Sequence, residues 1–155
     1  MTCSDVEIVI NIIGQHLKYD ARCAHRYFLE YFADLHRVQC LNEGHFVILE
    51  KGKAKILGVS GYTPDKYYTP GIYWLGWTYV DKEFRRRGLG STLLQYVIDA
   101  VQQKKARKLY VDTSNDPIYH PAIALYKSFG FKTEGVLKNY YRKGEDFVIL
   151  GKELS

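Results

Sequence analysis

Long hydrophobic runs and cysteine are both scarce in this chain of 155 residues. No apolar segment approaches the roughly 20 residues of a membrane-spanning helix. Acidic residues come early, at Asp5 and Glu7, where a secretory leader would be basic and then apolar. We therefore expect a cytoplasmic protein with no membrane association.

The three cysteines, Cys3, Cys23 and Cys40, are odd in number and widely spaced. This excludes a disulfide framework and a Cys-x-x-Cys metal pair, so we expect free thiols. The histidines also lack the spacing of metal ligands, and we expect no metal site. They are His16, His25, His36, His45 and His120.

The net charge of +5 is compatible with binding either nucleic acid or a small polyanion. One basic cluster, Arg85–Arg87, adjoins two glycines. The other, between Lys104 and Lys108, ends a predicted helix, where cations suit the helix dipole. No nucleic-acid-binding motif accompanies either cluster. We therefore favour a small anionic ligand and keep a basic nucleic-acid binder as the least favoured alternative.

Helical and strand periodicities alternate along the chain. The first predicted helix starts near Ser4. Three further helices are predicted over about 21–35, over about 89–104 and over a short segment from Pro121 to Gly130. The predicted strands cover 46–50, 56–62, 72–80, 109–113, 131–141 and 146–154, with a turn at Gly52 and loops over 63–71 and 114–120. Because helices interleave with strands that are partly paired as hairpins, we expect an α/β (α+β) fold in a single domain over 1–155. Its mixed sheet is expected to carry helices on both faces.

The segment Arg85-Arg86-Arg87-Gly88-Leu89-Gly90 lies between the strand over 72–80 and the helix over 89–104. Glycines at a helix start let the backbone approach a ligand, and the first helical N–H groups carry a partial positive charge that favours phosphate. The spacing matches neither the P-loop nor the dinucleotide fingerprint. It predicts a phosphate-binding loop, and a basic turn without a ligand is the alternative.

This loop is followed by Ala124-Leu125-Tyr126 in the short helix and then by Phe129-Gly130-Phe131. The order and spacing of these motifs, over about 46–154, resembles the GNAT superfamily of N-acetyltransferases. The resemblance implies a mixed, mostly antiparallel central sheet with a splay between its two central strands. It also implies acetyl-CoA as the co-substrate.

In similar acetyltransferases the pyrophosphate of acetyl-CoA sits on backbone N–H groups, here those from Arg86 to Ser91. The pantetheine arm pairs like an extra strand, here beside Thr78, Tyr79 and Val80. The cofactor-binding residues that the resemblance implies are Thr78, Tyr79, Val80, Arg85, Arg86, Arg87, Gly88, Leu89, Gly90 and Ser91.

Tyr126 is the predicted catalytic residue. An amine that attacks a thioester forms a tetrahedral oxyanion and then expels a thiolate. By resemblance, the Tyr126 hydroxyl protonates this thiolate, and a backbone N–H near Val80 stabilises the oxyanion. The alternative is that Tyr126, one of 14 tyrosines, only packs in the core.

The general base is left open by the sequence. The two predicted central strands contain a single carboxylate, Asp112. Glu43, Glu50 and His120 are further candidates, and ordered water is the simplest alternative. We expect that no single strand-borne carboxylate is essential.

Three features depart from the family pattern. Many relatives have an asparagine seven residues before the catalytic tyrosine; here that position is Tyr119, and Asn115 lies earlier, so a cofactor role for either is open. The strand that usually opens the family's fold is expected to be short or missing. The pair Tyr140-Tyr141 resembles the tyrosines with which protein N-terminal acetyltransferases hold the peptide backbone, and two half-buried strand aromatics are the alternative.

We therefore expect an N-acetyltransferase that moves acetyl from acetyl-CoA to a primary amine of a small molecule by direct attack. A protein or peptide N-terminus is the alternative acceptor, and a non-catalytic CoA-binding module is the alternative class. The loop over 63–71, the N-terminal helices and the hairpin loop near Tyr140–Glu145 are expected to shape the acceptor pocket. We expect a monomer or a homodimer.

Overall fold

The structure, a computed structural model, describes residues 1–33 and 43–154. The chain divides into two compact units, one made of Met1–Pro64 and Gly76–Val97 and the other of Asp65–Leu75 and Ile98–Ser155. Within these units the strands make four antiparallel pairings and one parallel pairing. The predicted α/β (α+β) class with a mixed, mostly antiparallel sheet is therefore confirmed, whereas the single domain stays a prediction.

The helices and strands follow the predicted order with shifted ends. The helices are α1 (Val6–Gly14), α2 (Lys18–Ala33), α3 (Leu89–Gln103) and α4 (His120–Ser128). The strands are β1 (Gly44–Leu49), β2 (Ile56–Pro64), β3 (Ile72–Leu75), β4 (Tyr79–Val80), β5 (Lys108–Ser114), β6 (Lys132–Arg142) and β7 (Glu145–Glu153). Short 3₁₀ turns cover Cys3–Asp5, Lys82–Phe84 and Pro117–Tyr119. In the described part of the chain, no helix has the length and apolar character that a membrane span requires.

The start of the first helix differs from its prediction. Ser4 is not the cap, because it lies inside the 3₁₀ turn Cys3–Asp5 that precedes α1, and Thr2, two residues before Ser4, caps this turn. The N–H and hydroxyl of Thr2 donate to the Asp5 carboxylate at 2.6 and 2.9 Å. Residues 1–5 contain no strand, as expected. The predicted positions Leu35, His36 and Cys40 lie outside the described residues.

The core of the first unit is built from apolar side chains that α1 and α2 carry at helical spacing, together with one from β2. They are Val6, Val9, Ile13, Ala24, Phe28 and Val59. In the same unit, β1 and β2 form the predicted antiparallel hairpin with Gly52 in its turn at φ +76°. The strand β2 runs on to Pro64, so the predicted loop begins at Asp65 and not at Thr63.

The prediction of a single strand over 72–80 is wrong, because the structure has two strands there, β3 and β4, separated by residues 76–78. At the break, the Thr78 hydroxyl donates to the Gly76 carbonyl at 3.0 Å and lies 2.8 Å from the Ser60 hydroxyl. The Gly76 N–H donates to the Gly61 carbonyl at 2.8 Å. These bonds, two from side-chain hydroxyls and one between main chains, take the place of a regular strand ladder at the break. After the break, β4 pairs with β2.

In the second unit, β3 pairs in parallel with β5, β5 pairs antiparallel with β7, and β7 pairs antiparallel with β6. The loop after β5 leads through a 3₁₀ turn into α4, which has Pro121 in its first turn as predicted. Gly130, at φ +86°, follows the end of α4. This arrangement sets Asp112 on a central strand of the unit and Tyr126 on its short helix.

Candidate active site

The predicted phosphate loop lies in the first unit, between β4 and α3. Two of its residues have left-handed backbone conformations, Arg86 at φ +59° and Gly88 at φ +79°. A Cβ added at Gly88 would have no heavy atom within 4 Å. The backbone at Gly88 therefore borders open space, which a loop that binds a ligand through its main chain requires.

The first turn of α3 supplies further backbone donors. Thr92 donates the first α-helical hydrogen bond, to the Gly88 carbonyl at 3.0 Å. The N–H groups of Leu89, Gly90 and Ser91 therefore precede the helical ladder and carry the partial positive charge of a helix start. Such a helix start favours the phosphate that the sequence predicts here.

Two arginine side chains of the loop bind the main chain of the segment that leads into it. Arg85 Nε donates to the Val80 carbonyl at 3.1 Å, and an Arg87 guanidinium nitrogen donates to the Glu83 carbonyl at 3.3 Å. The Arg87 guanidinium also lies 5.0 Å from the centre of the Phe84 ring. These contacts hold the loop in shape while all three arginines remain exposed and positively charged.

The strand β4 leaves one backbone donor outside its pairing with β2. Val80 lies opposite Gly58, and Asp81 N–H donates to the Leu57 carbonyl at 2.8 Å. In an antiparallel ladder this makes Val80 and Gly58 a pair without mutual hydrogen bonds, so the Val80 N–H points away from β2. A donor in this position fits the predicted oxyanion contact near Val80.

Residues that the sequence analysis did not select hold β4 and the loop from the side of the N-terminal helices. The Tyr79 hydroxyl donates to the buried Asp20 carboxylate at 2.6 Å. The His16 ring lies 5.6 Å from the Tyr79 ring, and burial, followed by the charge of Arg85, lowers the pKa of His16. Tyr79 and Thr78, both predicted to border the pantetheine arm, thus use their side chains within the fold.

Gln15, at the end of α1, binds the start of the phosphate loop with both ends of its amide. Its Oε1 accepts from Lys82 N–H at 2.8 Å, and its Nε2 donates to Asp81 Oδ2 at 3.4 Å. Gln15 and Lys82 are 67 positions apart. No local motif announces such a contact, and for this reason the sequence analysis missed it.

Tyr126, the predicted catalytic residue, lies in the second unit and is 6% exposed. Its ring centre is 5.9 Å from that of Phe131. Burial raises the pKa of Tyr126, and the negative charge of Asp112 raises it further. The phenol therefore stays protonated at neutral pH and can act as a hydrogen-bond donor.

The candidate bases have distinct surroundings. Asp112 on β5 is exposed, yet the protein around it raises the pKa of its carboxyl by burial. Glu43 accepts from the Tyr27 hydroxyl at 3.3 Å, and His120 Nε2 lies 3.3 Å from the Asn115 carbonyl. A hydrogen bond from Lys53 at 2.8 Å lowers the pKa of Glu50. Asp112 is exposed, and its carboxyl pKa is raised, which is the direction that suits a general base.

Two loop positions were left open for cofactor binding. The Asn115 side chain accepts from Asp146 N–H at 2.8 Å and so supports the β6–β7 hairpin. Tyr119 closes the 3₁₀ turn before α4 by donating its N–H to the Asp116 carbonyl at 2.9 Å. A surface cavity of about 350 Å³ lies beside this loop and the hairpin turn. It is lined by Asn115, Asp116, Pro117, Arg142, Lys143, Gly144 and Glu145.

The tyrosine pair on β6 is about half exposed, which is compatible both with contact to a peptide and with the alternative of half-buried strand aromatics. Tyr140 is 59% exposed and Tyr141 45% exposed. Their ring centres are 5.0 Å apart, and Phe147 lies 5.0 Å from Tyr140 and 6.1 Å from Tyr141. The two rings are thus supported from one side and open to solvent on the other.

Within residues 1–33 and 43–154, no three or more His, Cys, Asp or Glu side chains are grouped so that they could hold a metal ion.

The sequence model of the Acetyltransferase (GNAT) family matches residues 14–131, a segment that contains the phosphate loop and Tyr126. This chain is a member of the GNAT family. The expected resemblance is therefore confirmed, and with it the assignment to a family of acyltransferases.

Curated GNAT relatives resemble part of the chain. The N-alpha-acetyltransferase of Saccharolobus solfataricus is 37% identical over 76 residues, which cover 47% of this chain and 43% of the relative. The [ribosomal protein bS18]-alanine N-acetyltransferase of Salmonella typhimurium is 35% identical over 79 residues, which cover 49% of this chain and 52% of the relative. The chain thus spans about half the length of these curated relatives.

Solved GNAT structures match more of the chain. A GNAT-family protein from Desulfovibrio desulfuricans superposes with a TM-score of 0.88 at 27% identity, over 99% of this chain and 95% of that one. The ribosomal-protein-S18-alanine N-acetyltransferase of Escherichia coli gives a TM-score of 0.62 at 26% identity, over 74% of this chain and 70% of that one. An aminoglycoside 6'-N-acetyltransferase in complex with coenzyme A shares the fold, with a TM-score of 0.75 at 12% identity.

Proposed function

We propose that this GNAT-family protein transfers acetyl from acetyl-CoA to the α-amine of a protein or peptide N-terminus. The observation that carries the proposal is the phosphate loop, which borders open space at Gly88 and continues into the first turn of α3 within the segment matched to the family. A main-chain site of this kind suits the pyrophosphate of CoA because it offers N–H donors and a helix dipole together.

The proposed cofactor site comprises Thr78–Val80 and Arg85–Ser91. The N–H groups from Arg86 to Ser91 bind the pyrophosphate, and the exposed arginine side chains add positive charge around it. The β4 backbone borders the pantetheine arm as a neighbouring strand would. Because the main chain makes most of the proposed contacts with the pyrophosphate, a side chain added at Gly88 would occupy the space that the ligand needs.

In the proposed reaction the neutral amine attacks the acetyl carbonyl carbon, so a C–N bond forms and the carbonyl oxygen becomes an oxyanion. The Val80 N–H stabilises this oxyanion. The C–S bond then breaks, and Tyr126 donates its proton to the departing thiolate. Water or the exposed Asp112 carboxylate takes the proton that the amine nitrogen loses. A proton from solvent then restores the Tyr126 phenol, and the products are the amide and CoA thiol.

The acceptor class is proposed from two observations. The curated relatives named above, which are 37% and 35% identical to about half of this chain, are an N-alpha-acetyltransferase and a ribosomal-protein-alanine N-acetyltransferase. The exposed rings of Tyr140 and Tyr141 provide contact area for an extended peptide. Together they favour a peptide α-amine over the small-molecule amine that the sequence analysis placed first.

The test is an acetyl-CoA turnover screen that follows release of the CoA thiol. The acceptors are short peptides that differ in their first residue, the same peptides with a formylated α-amine, and a panel of small primary amines. We expect turnover with free peptides and none with the formylated controls. Turnover with small amines alone would contradict the acceptor class, and CoA binding without any turnover would contradict catalysis.

A further inference from the structure

The β6–β7 hairpin contains a large bulge that the sequence analysis did not predict. Leu137 pairs with Phe147, and the next pair is Arg142 with Glu145. Between these pairs lie four residues on β6, 138–141, but only Asp146 on β7. Bulges re-aim side chains and are frequent beside functional sites.

The Asp146 carboxylate occupies the space opposite the bulge. The residue is 7% exposed, and its two carboxylate oxygens accept from Asn139 N–H and Lys138 Nζ, each at 2.9 Å. The main chain of Asp146 is fixed in turn by Asn115, whose Oδ1 accepts from Asp146 N–H at 2.8 Å and whose N–H donates to the Asp146 carbonyl at 3.2 Å. The carboxylate thus links the bulge to the loop after β5.

Asn139 closes the other side of the bulge. Its backbone is left-handed, with φ +54°, a conformation that asparagine adopts more readily than most residues. Its side-chain Oδ1 accepts from Gly144 N–H at 2.7 Å in the hairpin turn. The bulge is therefore held at Asn139 by a donor and an acceptor, one toward Asp146 and one toward Gly144.

The consequence of this geometry is the position of Tyr140 and Tyr141. They follow Asn139 directly, and in a regular β6 strand successive side chains would point to opposite faces. In the bulge the two rings instead pack against each other and on Phe147. Exposed aromatic rings on a rigid support offer contact area at little entropic cost.

We propose that Asp146 is a positioning residue for the acceptor: it holds the bulge over 138–141 in the shape that presents Tyr140 and Tyr141 to the amine substrate. This inference rests on the proposed function, because it assigns the acceptor to the face formed by the two rings. Asp146 itself does not touch the substrate and acts through the Asn139 backbone.

The test compares Asp146→Asn, Asn139→Gly and Lys138→Ala with the wild type. Asp146→Asn keeps the size of the side chain and removes its charge. Asn139→Gly keeps the left-handed backbone accessible and removes the acceptor for Gly144 N–H. Lys138→Ala is the matched control, because it removes only the 75% exposed partner of Asp146.

The measurements are KM for the acceptor, KM for acetyl-CoA, kcat, and hydrogen exchange at the Asn139 and Gly144 amides. We expect Asp146→Asn to raise the acceptor KM by about tenfold, because its amide oxygen replaces a charged acceptor with a neutral one, and Asn139→Gly to raise it by about two- to tenfold, the loss expected for a neutral hydrogen bond. KM for acetyl-CoA should stay within about twofold, exchange at both amides should accelerate, and Lys138→Ala should resemble the wild type.

Turnover by the wild type tests the proposed function, whereas the difference between variants tests this inference. If small amines and not peptides are acetylated, the proposed peptide acceptor is wrong. The acceptor KM of the wild type and the three variants is then compared with the small amine that reacts. An unchanged acceptor KM in a folded Asp146→Asn variant, or unchanged amide exchange, would overturn the inference. If Asp146→Asn does not fold, the acceptor KM of Asn139→Gly decides in the same way.

Discussion

Replacing Gly88 by alanine separates binding at the phosphate loop from the stability of its backbone. Gly88 has φ +79° and no neighbour within 4 Å of an added Cβ, so the methyl group meets no protein atom. The substitution costs only the left-handed conformation of an alanine, roughly 1–2 kcal/mol of unfolding free energy. For a chain of this size that corresponds to a Tm lower by about 2–8 °C.

Gly52 provides a matched control in the same unit. It has φ +76° and likewise no neighbour within 4 Å of an added Cβ, but it lies in the β1–β2 turn. We expect Gly52→Ala to lower Tm by a similar amount, because the backbone strain is the same in kind. Any difference between the two variants in CoA affinity then reflects the position of Gly88 in the loop.

The methyl group of Gly88→Ala projects into the open space where the pyrophosphate would bind. Displacing the phosphate from one charged hydrogen bond costs about 1.5–3 kcal/mol, or about 10- to 160-fold in Kd. Calorimetric titration with CoA measures this loss. The phosphate-loop assignment is refuted if Gly88→Ala binds CoA with wild-type affinity, or if Gly52→Ala loses as much.

Three further predictions follow from single residues. Tyr126→Phe removes only the hydroxyl, and we expect kcat to fall by about 10²–10⁴ with CoA affinity little changed, as measured by steady-state kinetics and titration. Asp112→Asn should keep a rate that rises with pH toward the pKa of the amine, because water can accept the proton. His45 is buried, and burial, followed by the charge of the Met1 ammonium, lowers its pKa to about 4. The unfolded state therefore binds more protons between pH 6.5 and pH 4, and denaturant titrations should show a loss of about 3 kcal/mol as the pH falls through that range.

Each of these predictions has its own contrary outcome. If chemistry limits the rate and Tyr126→Phe has the kcat of the wild type, the Tyr126 hydroxyl does not act as the general acid and has only a structural role. A folded Asp112→Asn variant that loses about 10²-fold in rate together with the acidic limb of its pH profile would identify Asp112 as the base. His45→Gln cannot titrate in this range, so an unchanged loss of stability in that variant would assign the effect to other groups.

The elements that the sequence predicts well depend on local patterns. The buried face of α3, from Leu93 to Val101, follows helical spacing, and the turn at Gly52 follows from the need for a left-handed residue. The Arg85–Gly90 segment was recognisable because glycines and a helix start are adjacent in sequence. In each case the deciding contacts lie within a few positions of one another.

The features that escaped prediction depend on contacts between distant residues. The break after β3 needs Ser60 and Gly61 to reach Thr78 and Gly76. Likewise, the hydrogen bond between Tyr79 and Asp20 joins positions 59 apart. In both cases the two partners are far apart in the sequence, so a short sequence pattern cannot identify the contact, which forms only in the folded chain.

The bonds that Gln15, Arg85 and Arg87 make to the main chain around the phosphate loop have a thermodynamic consequence. A glycine-containing loop without such bonds would sample many conformations and lose that freedom when a phosphate docks. Here the ordering cost is met when the protein folds, so the N–H donors are pre-organised. Association with a phosphate ligand then loses little backbone entropy, and more of the contact energy appears as affinity.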